Sequence, residues 1–164
     1  MKKYEFTGET KRVELWNRTA TLHRIKATVE FGFVKVGELG GWIEKEENLS
    51  HEGKAWVCGD AKVCGDAEVW GNAKVWGNAN VCGNAEVFLA SHVLVMGSVG
   101  SRNDFTTFFR DKDNEITVKC GCFLGKIDKF LEKVTQTHGN NKYALVYRAA
   151  VEVAKLQIEL TERK

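Results

Sequence analysis

The sequence predicts a mainly β protein built on a single-stranded, three-sided parallel β-helix of left-handed sense. Three observations predict this fold class. Valine recurs at every sixth position, a small residue stands two positions before each valine, and most units carry a Gly-Asp or Gly-Asn pair. The valines of the series are Val57, Val63, Val69, Val75, Val81, Val87, Val93 and Val99.

The six-residue unit has a direct physical interpretation. A period of six fits neither a single helix nor a single strand, whose side chains repeat every 3.6 and 2 residues. It fits short strands joined by corners, with one hexad per side and about 18 residues per coil. Gly tolerates positive φ, and Asn or Asp bonds the local backbone, so the Gly-Asx pair suits a corner. Period six favours the left-handed helix of hexapeptide-repeat proteins, although right-handed crossovers are the general rule.

The pattern divides the chain into three regions. Residues 1–34 are expected to form an N-terminal β cap of two or three short strands, and residues 35–100 the hexapeptide-repeat β-solenoid. Residues 101–164 follow as a C-terminal region. In the first coil, Ile43 and Leu49 occupy the slot that alanine holds in later units. We therefore expect this coil to be modified, with its large residue at the other inward position.

The C-terminal region predicts a β-hairpin followed by two α-helices. The segments FTTFFR and EITVKCGCF flank Asp113-Asn114, which suits a hairpin turn. The first helix carries one apolar stripe and is followed by Gly139, a typical C-cap residue. The second helix, over about 141–160, carries two stripes. One stripe is Tyr143, Tyr147, Ala150, Val151, Ala154 and Ile158.

The other stripe of the second helix is spaced 3, 4, 3, 4 like a coiled-coil seam. A helix that is apolar on two faces is either sandwiched within its own chain or shared with a second one. Self-association into a homodimer is therefore one expectation, and cover by the same chain is the other. The residues of this seam are Val146, Ala149, Val153, Leu156 and Leu160.

The last position of the hexad varies and often carries a large aromatic residue. Strand alternation turns this position outward, as it does the position just before the valine. Exposed aromatic residues on rigid strands are typical of binding hot spots. The alternative is that flanking segments or a second copy cover them. The candidate protein-binding residues, including two arginines near the C-terminal cap, are Trp56, Trp70, Trp76, Phe88, His92, Arg102 and Arg110.

No catalytic residue, metal site or cofactor is expected. A zinc site needs about three suitably placed ligands, whereas the histidines are spread over different segments, and His92 is interpreted as a solvated residue on one face. The cysteines form no CxxC pair. Cys64 and Cys82 fall within disulfide range on neighbouring coils, but free thiols are expected in a reducing compartment. The protein is accordingly predicted not to be an enzyme.

The charge and hydropathy of the chain limit the classes of partner and the cellular compartment that we expect. The chain has 24 basic and 22 acidic side chains, a balance of +2. This argues against direct sequence-specific nucleic-acid binding, which needs a clustered basic excess. No run approaches the roughly 20 apolar residues that cross a bilayer, and the N-terminus has no apolar segment typical of a secretory signal. We expect a cytoplasmic protein that does not contact membranes.

Three segments together resemble a known group of proteins. They are GELGGWIEKEENLS, the GNAxVxG repeats, and GSRNDFTTFFRDKDNEITVKCGCF followed by two helices. Over nearly the whole chain they are similar to small phage and prophage β-helical proteins. Similar phage proteins include inhibitors of bacterial defence, among them anti-CRISPR proteins that bind the type II RNA-guided nuclease. The resemblance assigns no role to individual residues.

The resemblance implies a phage-encoded protein that acts in the cytoplasm of its bacterial host by binding a host protein. The implied partner is a CRISPR effector nuclease with its guide RNA. The implied mechanism blocks the docking of the nuclease domain that licenses cleavage and leaves DNA binding less affected. The alternatives are a hexapeptide-repeat acyltransferase and a structural, polymer-forming rod.

Overall fold

The chain begins with a long antiparallel pair of strands. The computed structural model describes residues 2–15, 17–101 and 103–160. Strand β1 (Tyr4–Leu15) pairs with β2 (Arg18–Ala27), and β2 pairs antiparallel with β3 (Leu39–Ile43). The N-terminal cap therefore consists of two long strands rather than two or three short ones.

Residues 55–88, here called the repeat region, form six two-residue strands. Each of the first three strands lies in parallel beside the strand three places further along, so that β4 pairs with β7, β5 with β8 and β6 with β9. Strand β3 also pairs in parallel with β5, which joins β1, β2, β3, β5 and β8 into one mixed sheet. The six strands are β4 (Trp56–Val57), β5 (Lys62–Val63), β6 (Glu68–Val69), β7 (Lys74–Val75), β8 (Asn80–Val81) and β9 (Glu86–Val87).

The valines and alanines of the repeat region form one buried core, as the hexad predicts. Full burial of a valine side chain contributes roughly 1.5–3 kcal/mol, so the six valines dominate the stability of this segment. The corners depend on glycine. Gly59, for example, has a φ of 64°, and an added Cβ there would meet the Gly77 carbonyl of the next layer at 3.4 Å. The hexad thus predicts correctly which residues point inward between Ala55 and Val87.

The segment before the repeat region differs from its prediction. Ile43 lies beside Val63, and Leu49 lies beside Val69, so both occupy the valine column rather than the alanine slot. The cause is the connection from Leu49 to Val57, which spans eight positions where the hexad spans six. The two additional residues lie in this longer connection. Ile43 and Leu49 therefore align with the inward valines of the later strands.

The hexad ends after β9, and a four-stranded antiparallel sheet follows. Its order is β10–β11–β12–β13, with β11 and β12 forming the hairpin expected around Asn114, whose φ is 57°. Val93 and Val99 lie in β10, so the last two valines of the series belong to this sheet and not to the repeat. The strands are β10 (Val93–Val99), β11 (Asp104–Arg110), β12 (Ile116–Cys120) and β13 (Phe123–Lys126).

Two helices complete the fold and pack against this sheet. Helix α1 (Ile127–His138) ends at Gly139, whose φ of 62° confirms the expected C-cap. Helix α2 (Lys142–Gln157) begins at Asn141, whose side chain accepts a hydrogen bond from the backbone N–H of Ala144 at 3.1 Å. Among the described residues no helix is both long enough and apolar enough to cross a bilayer. The buried residues shared by sheet and helices include Phe108, Val118, Phe130, Val134, Tyr147 and Val151.

The predicted fold class, a left-handed three-sided parallel β-helix, is wrong for the described residues. The structure consists of several small sheets, antiparallel and mixed, with two helices. The long strands β1, β2, β10 and β11 are all paired with antiparallel neighbours, and parallel pairs are confined to β3–β9. The physical reason is that the period of six specifies local geometry only where the Gly-Asx corner persists, while the flanking segments pair as hairpins.

Candidate protein-binding surface

Two aromatic residues stack on neighbouring strands of the repeat region. Trp70 follows β6 and Phe88 follows β9, and their ring centroids lie 4.4 Å apart with an interplanar angle of 22°. The backbone N–H of Trp70 donates to the carbonyl of Val87 at 3.0 Å, which fixes the register of the two rings. Trp70 remains 39% exposed, while Phe88 is half-buried beneath it. Phe88 stands 18 positions after Trp70, which is the number of residues that the hexad predicts for one coil, and the stack agrees with this spacing.

Arg110 supports this stack from the C-terminal sheet. Its guanidinium lies 5.0 Å from the centroid of the Phe88 ring. Its Nη1 donates to the backbone carbonyl of Glu86 at 2.9 Å, and its Nε donates to the Asn114 Oδ1 at 3.1 Å. A planar guanidinium suits this combination of ring stacking and directed hydrogen bonds. Since Arg110 is buried, it positions Phe88 rather than offering a free contact.

His92 completes the support and is not the solvated residue that the sequence predicts. It is fully buried, and its ring meets Phe88 edge to face with 4.5 Å between centroids. Its Nδ1 accepts hydrogen bonds from the backbone N–H groups of Phe88 and Leu89, each at 3.2 Å. Burial, followed by the nearby charge of Arg110, lowers the pKa of the imidazole below its ordinary value. The two accepted hydrogen bonds require a neutral ring with its proton on Nε2, a nitrogen that is buried without a hydrogen-bond partner among the described residues.

A local signal for the burial of His92 is present in the sequence. The corner at Leu89-Ala90 lacks the Gly-Asx pair, and a 3-10 turn over Ala90–His92 replaces it. The same occurs at Glu46–Asn48, where the Asn48 Oδ1 accepts the backbone N–H groups of Glu44 and Lys45 at 3.1 and 2.9 Å. In both places the turn directs the polar side chain inward to satisfy the backbone of the corner. The absence of the corner glycine is thus the sequence feature that indicates a 3-10 turn with an inward polar side chain.

An acidic depression lies beside Trp70. Its volume is about 450 Å³. Three of its lining residues are carboxylates, and the sequence prediction missed all of them. Burial, together with the charges of Glu46 and Glu47, raises the pKa of the Tyr4 hydroxyl below it, as expected near a negative potential. The residues that line the depression are Glu46, Glu47, Leu49, Ser50, His51, Glu68, Val69 and Trp70.

Two of these carboxylates are available to a partner. Glu46 is engaged by the Lys2 ammonium at 2.9 Å. Within the part of the chain that the structure describes, neither Glu47 nor Glu68 forms an ion pair, and both are exposed. An exposed indole next to free carboxylates can receive a basic side chain, because a cation gains both from the ring face and from the negative charge.

The other predicted tryptophans lie elsewhere. Trp76 is 63% exposed, which confirms that it stands outside the core, but it has no part in the stack around Trp70. Trp56 is only 5% exposed, so its expected role in a surface contact is wrong. Its ring meets Phe31 and Tyr4 edge to face, at 5.3 and 6.4 Å between centroids. These residues come from the N-terminal region, which covers this side of the repeat region.

The remaining candidate residues fall into two groups. Arg102 lies outside the described residues. The seam of α2 belongs to the C-terminal helix, and it faces away from the buried stripe of that helix. Of its members, Val146 is half-buried, whereas Ala149, Val153, Leu156 and Leu160 are exposed.

The other residue types that could ligate a metal or act as nucleophiles are spread over the fold. In residues 2–15, 17–101 and 103–160, no group of three or more His, Cys, Asp or Glu side chains is placed to hold a metal ion. Cys64 and Cys82 are buried neighbours with free thiols.

Comparison of the chain with protein-family models gives no match, and comparison with curated proteins gives none. The role of the Trp70 surface therefore rests on its geometry.

Proposed function

We propose that this protein binds a host protein through the surface around Trp70 and thereby inhibits it. The proposed target is a type II RNA-guided DNA nuclease with its guide RNA, in the cytoplasm of a bacterial host. The resemblance of the sequence to phage inhibitors suggests this target. The observation that carries the contact site is the stack of Trp70 on Phe88 beside the carboxylates of Glu47 and Glu68.

The stack suits protein binding because its aromatic anchor is already ordered. Association costs free energy wherever a side chain must be immobilised, roughly 0.5–1.5 kcal/mol for each rotamer-rich side chain. The Trp70 indole is held by Phe88, and Phe88 is held by Arg110 and His92. Binding therefore costs little further free energy for ordering the Trp70 side chain. Tryptophans that become buried in an interface are also among the commonest hot-spot residues.

The charge of the surface suits a basic partner. RNA-guided nucleases hold the guide–target heteroduplex in a positively charged channel, and a nuclease domain must dock before cleavage. Lysine or arginine side chains of such a protein complement Glu47 and Glu68, and complementary charge speeds association and fixes orientation. We propose that the bound protein obstructs nuclease-domain docking, so that cleavage is lost while DNA binding is less affected.

The test is a titration of the purified protein into a nuclease–guide complex. Cleavage of a matched DNA target is measured, and binding of the same DNA by the complex is measured in parallel. The proposal expects cleavage to fall with increasing protein while most of the DNA binding persists. Loss of DNA binding in step with cleavage would contradict the docking mechanism, and undiminished cleavage at saturating protein would contradict the proposed target.

A further inference from the structure

Helix α2 has two apolar faces, of which one is covered by the residues that the structure describes. The covered face packs on the four-stranded sheet and on α1 through Ala144, Tyr147, Ala150, Val151 and Ala154. The other face carries the seam spaced 3, 4, 3, 4. Along it Leu156 is 88% exposed and Val153 is 45% exposed. A helix in water gains nothing from such a stripe unless another surface covers it.

We propose that this face binds the same face of a second copy of the chain, as an antiparallel pair of α2 helices about a two-fold axis. An isologous contact of this kind requires a surface that complements itself. The spacing of the seam provides this property. It matches the knobs-into-holes packing of two helices that carry the same repeat.

The register follows from the positions of large and small residues. When the two-fold axis passes between residues 154 and 155, Val153 faces Leu156 of the second copy, and the symmetry repeats this contact. Leu160 lies beyond the end of α2, after the extended backbone at Ile158, so the helical pairing takes in the seam only as far as Leu156. The contact of Val153 with Leu156 pairs a smaller side chain with a leucine, which lets the two helices pack closely.

The charges along the margin fit the same register. Glu152 and Lys155 are both exposed, and they form an ion pair within the helix at 3.5 Å between Lys155 Nζ and Glu152 Oε1. In the antiparallel pair each Glu152 comes close to Lys155 of the second copy, so opposite charges meet twice. The seam itself carries no charged side chain. A partner surface of one dominant charge would attract only one of these two side chains, whereas a second copy attracts both.

The expected dimer is weak. A single pair of short helices covers less area than the roughly 1,600 Å² buried in a standard protein interface. We therefore expect a dissociation constant on the order of micromolar, which corresponds to about −8 kcal/mol at 1 μM. The inference is independent of the proposed target, because it concerns a face that does not include Trp70.

Sedimentation equilibrium tests the dimer directly. Over about 0.05 to 50 μM, a range that brackets a dissociation constant on the order of micromolar, the mass of the wild-type chain should rise from near 18.4 kDa towards twice that value. Leu156→Glu should remain monomeric, and at concentrations where the wild type is also monomeric the two should share one melting temperature, because Leu156 is exposed in the single chain. The matched control is Phe33→Glu, a similarly exposed apolar residue in the segment between β2 and β3, which should dimerise like the wild type. A wild-type monomer throughout, or a dimer that Leu156→Glu leaves intact, overturns the proposal.

Cysteine pairing tests the register. In a Cys122→Ser background, which removes the exposed native thiol, Val153→Cys and Leu156→Cys chains are mixed and oxidised with a small disulfide. The proposal expects the mixed 153–156 cross-link to form faster than either like pair. Faster formation of the 156–156 cross-link overturns the antiparallel register proposed here.

Discussion

Trp70 and Phe88 stack after neighbouring parallel strands with 4.4 Å between their ring centroids, and the Arg110 guanidinium lies 5.0 Å from the centroid of the Phe88 ring. Three separate parts of the sequence therefore meet at one exposed indole. An exposed aromatic residue on a mobile loop would have to be ordered by its partner. Here the fold has already ordered it, and this is why the surface around Trp70 is the strongest candidate for a contact with another protein.

The carboxylates beside Trp70 should contribute to binding through charge. In Glu47→Gln/Glu68→Gln, we expect weaker binding to the nuclease–guide complex and a shallower dependence of the association rate on salt, because the steering charge is removed. Glu14→Gln, an exposed change in β1, is the matched control and should bind like the wild type. Stopped-flow association at two ionic strengths measures both quantities. An unchanged salt dependence in the double variant would exclude the acidic depression from the contact.

The core of the repeat region should not tolerate a charge. Val69 is fully enclosed, so Val69→Asp leaves an unpaired buried carboxylate that costs several kcal/mol of the free energy of unfolding. Asn78→Asp places the same carboxylate at an exposed corner, where Asp already stands in other hexads, and should change stability little. Thermal unfolding followed by circular dichroism compares the two. Equal melting temperatures for Val69→Asp and the wild type would be incompatible with the buried valine column.

Stability should fall in mild acid because of His92. Its pKa in the folded protein is lowered, chiefly by burial and then by Arg110, with Glu159 opposing the shift. Protonation therefore favours the unfolded chain. The stability linked to His92 is complete above its ordinary pKa of about 6.5 and is lost as the pH falls from there towards the lower folded pKa.

His92→Asn is the variant that isolates this effect. The Asn Oδ1 can accept the same two backbone hydrogen bonds, as Asn48 does at the equivalent corner, but it does not titrate. Urea unfolding at pH 7 and pH 5 should show a smaller acid loss in the variant than in the wild type. Some loss should persist, because burial also lowers the pKa of His51. An identical acid loss in both proteins would show that His92 does not contribute.

The sequence predicts local features of this protein better than its architecture. The period of six identifies the inward valines and alanines, and it places Trp70 and Phe88 on one face, because both follow from the geometry of a single repeated unit. The fold class is mispredicted because the flanking strands pair antiparallel. They pair with their neighbours in the sequence as hairpins, such as β1 with β2 and β11 with β12, whose turns the period of six does not describe.

The misassigned residues have the same origin. Trp56 occupies an outward position in its strand, yet Phe31 and Tyr4 cover it. His92 also occupies an outward position, but a 3-10 turn rotates it inward. In each case the hexad gives the direction of the side chain relative to its own strand. It does not indicate which other segment will lie on that side.

The binding of Trp70→Ala to the nuclease–guide complex tests the central claim most directly. Truncation of an anchoring tryptophan should weaken binding by about 2 kcal/mol or more, roughly thirtyfold. Stability should change far less than the roughly 3–5 kcal/mol that removal of a buried aromatic costs, since Trp70 is partly exposed. Trp76→Ala, the same truncation at an exposed indole outside the stack, is the control and should bind like the wild type. Wild-type affinity in a folded Trp70→Ala protein, measured by calorimetry against the same complex, would contradict the proposed surface.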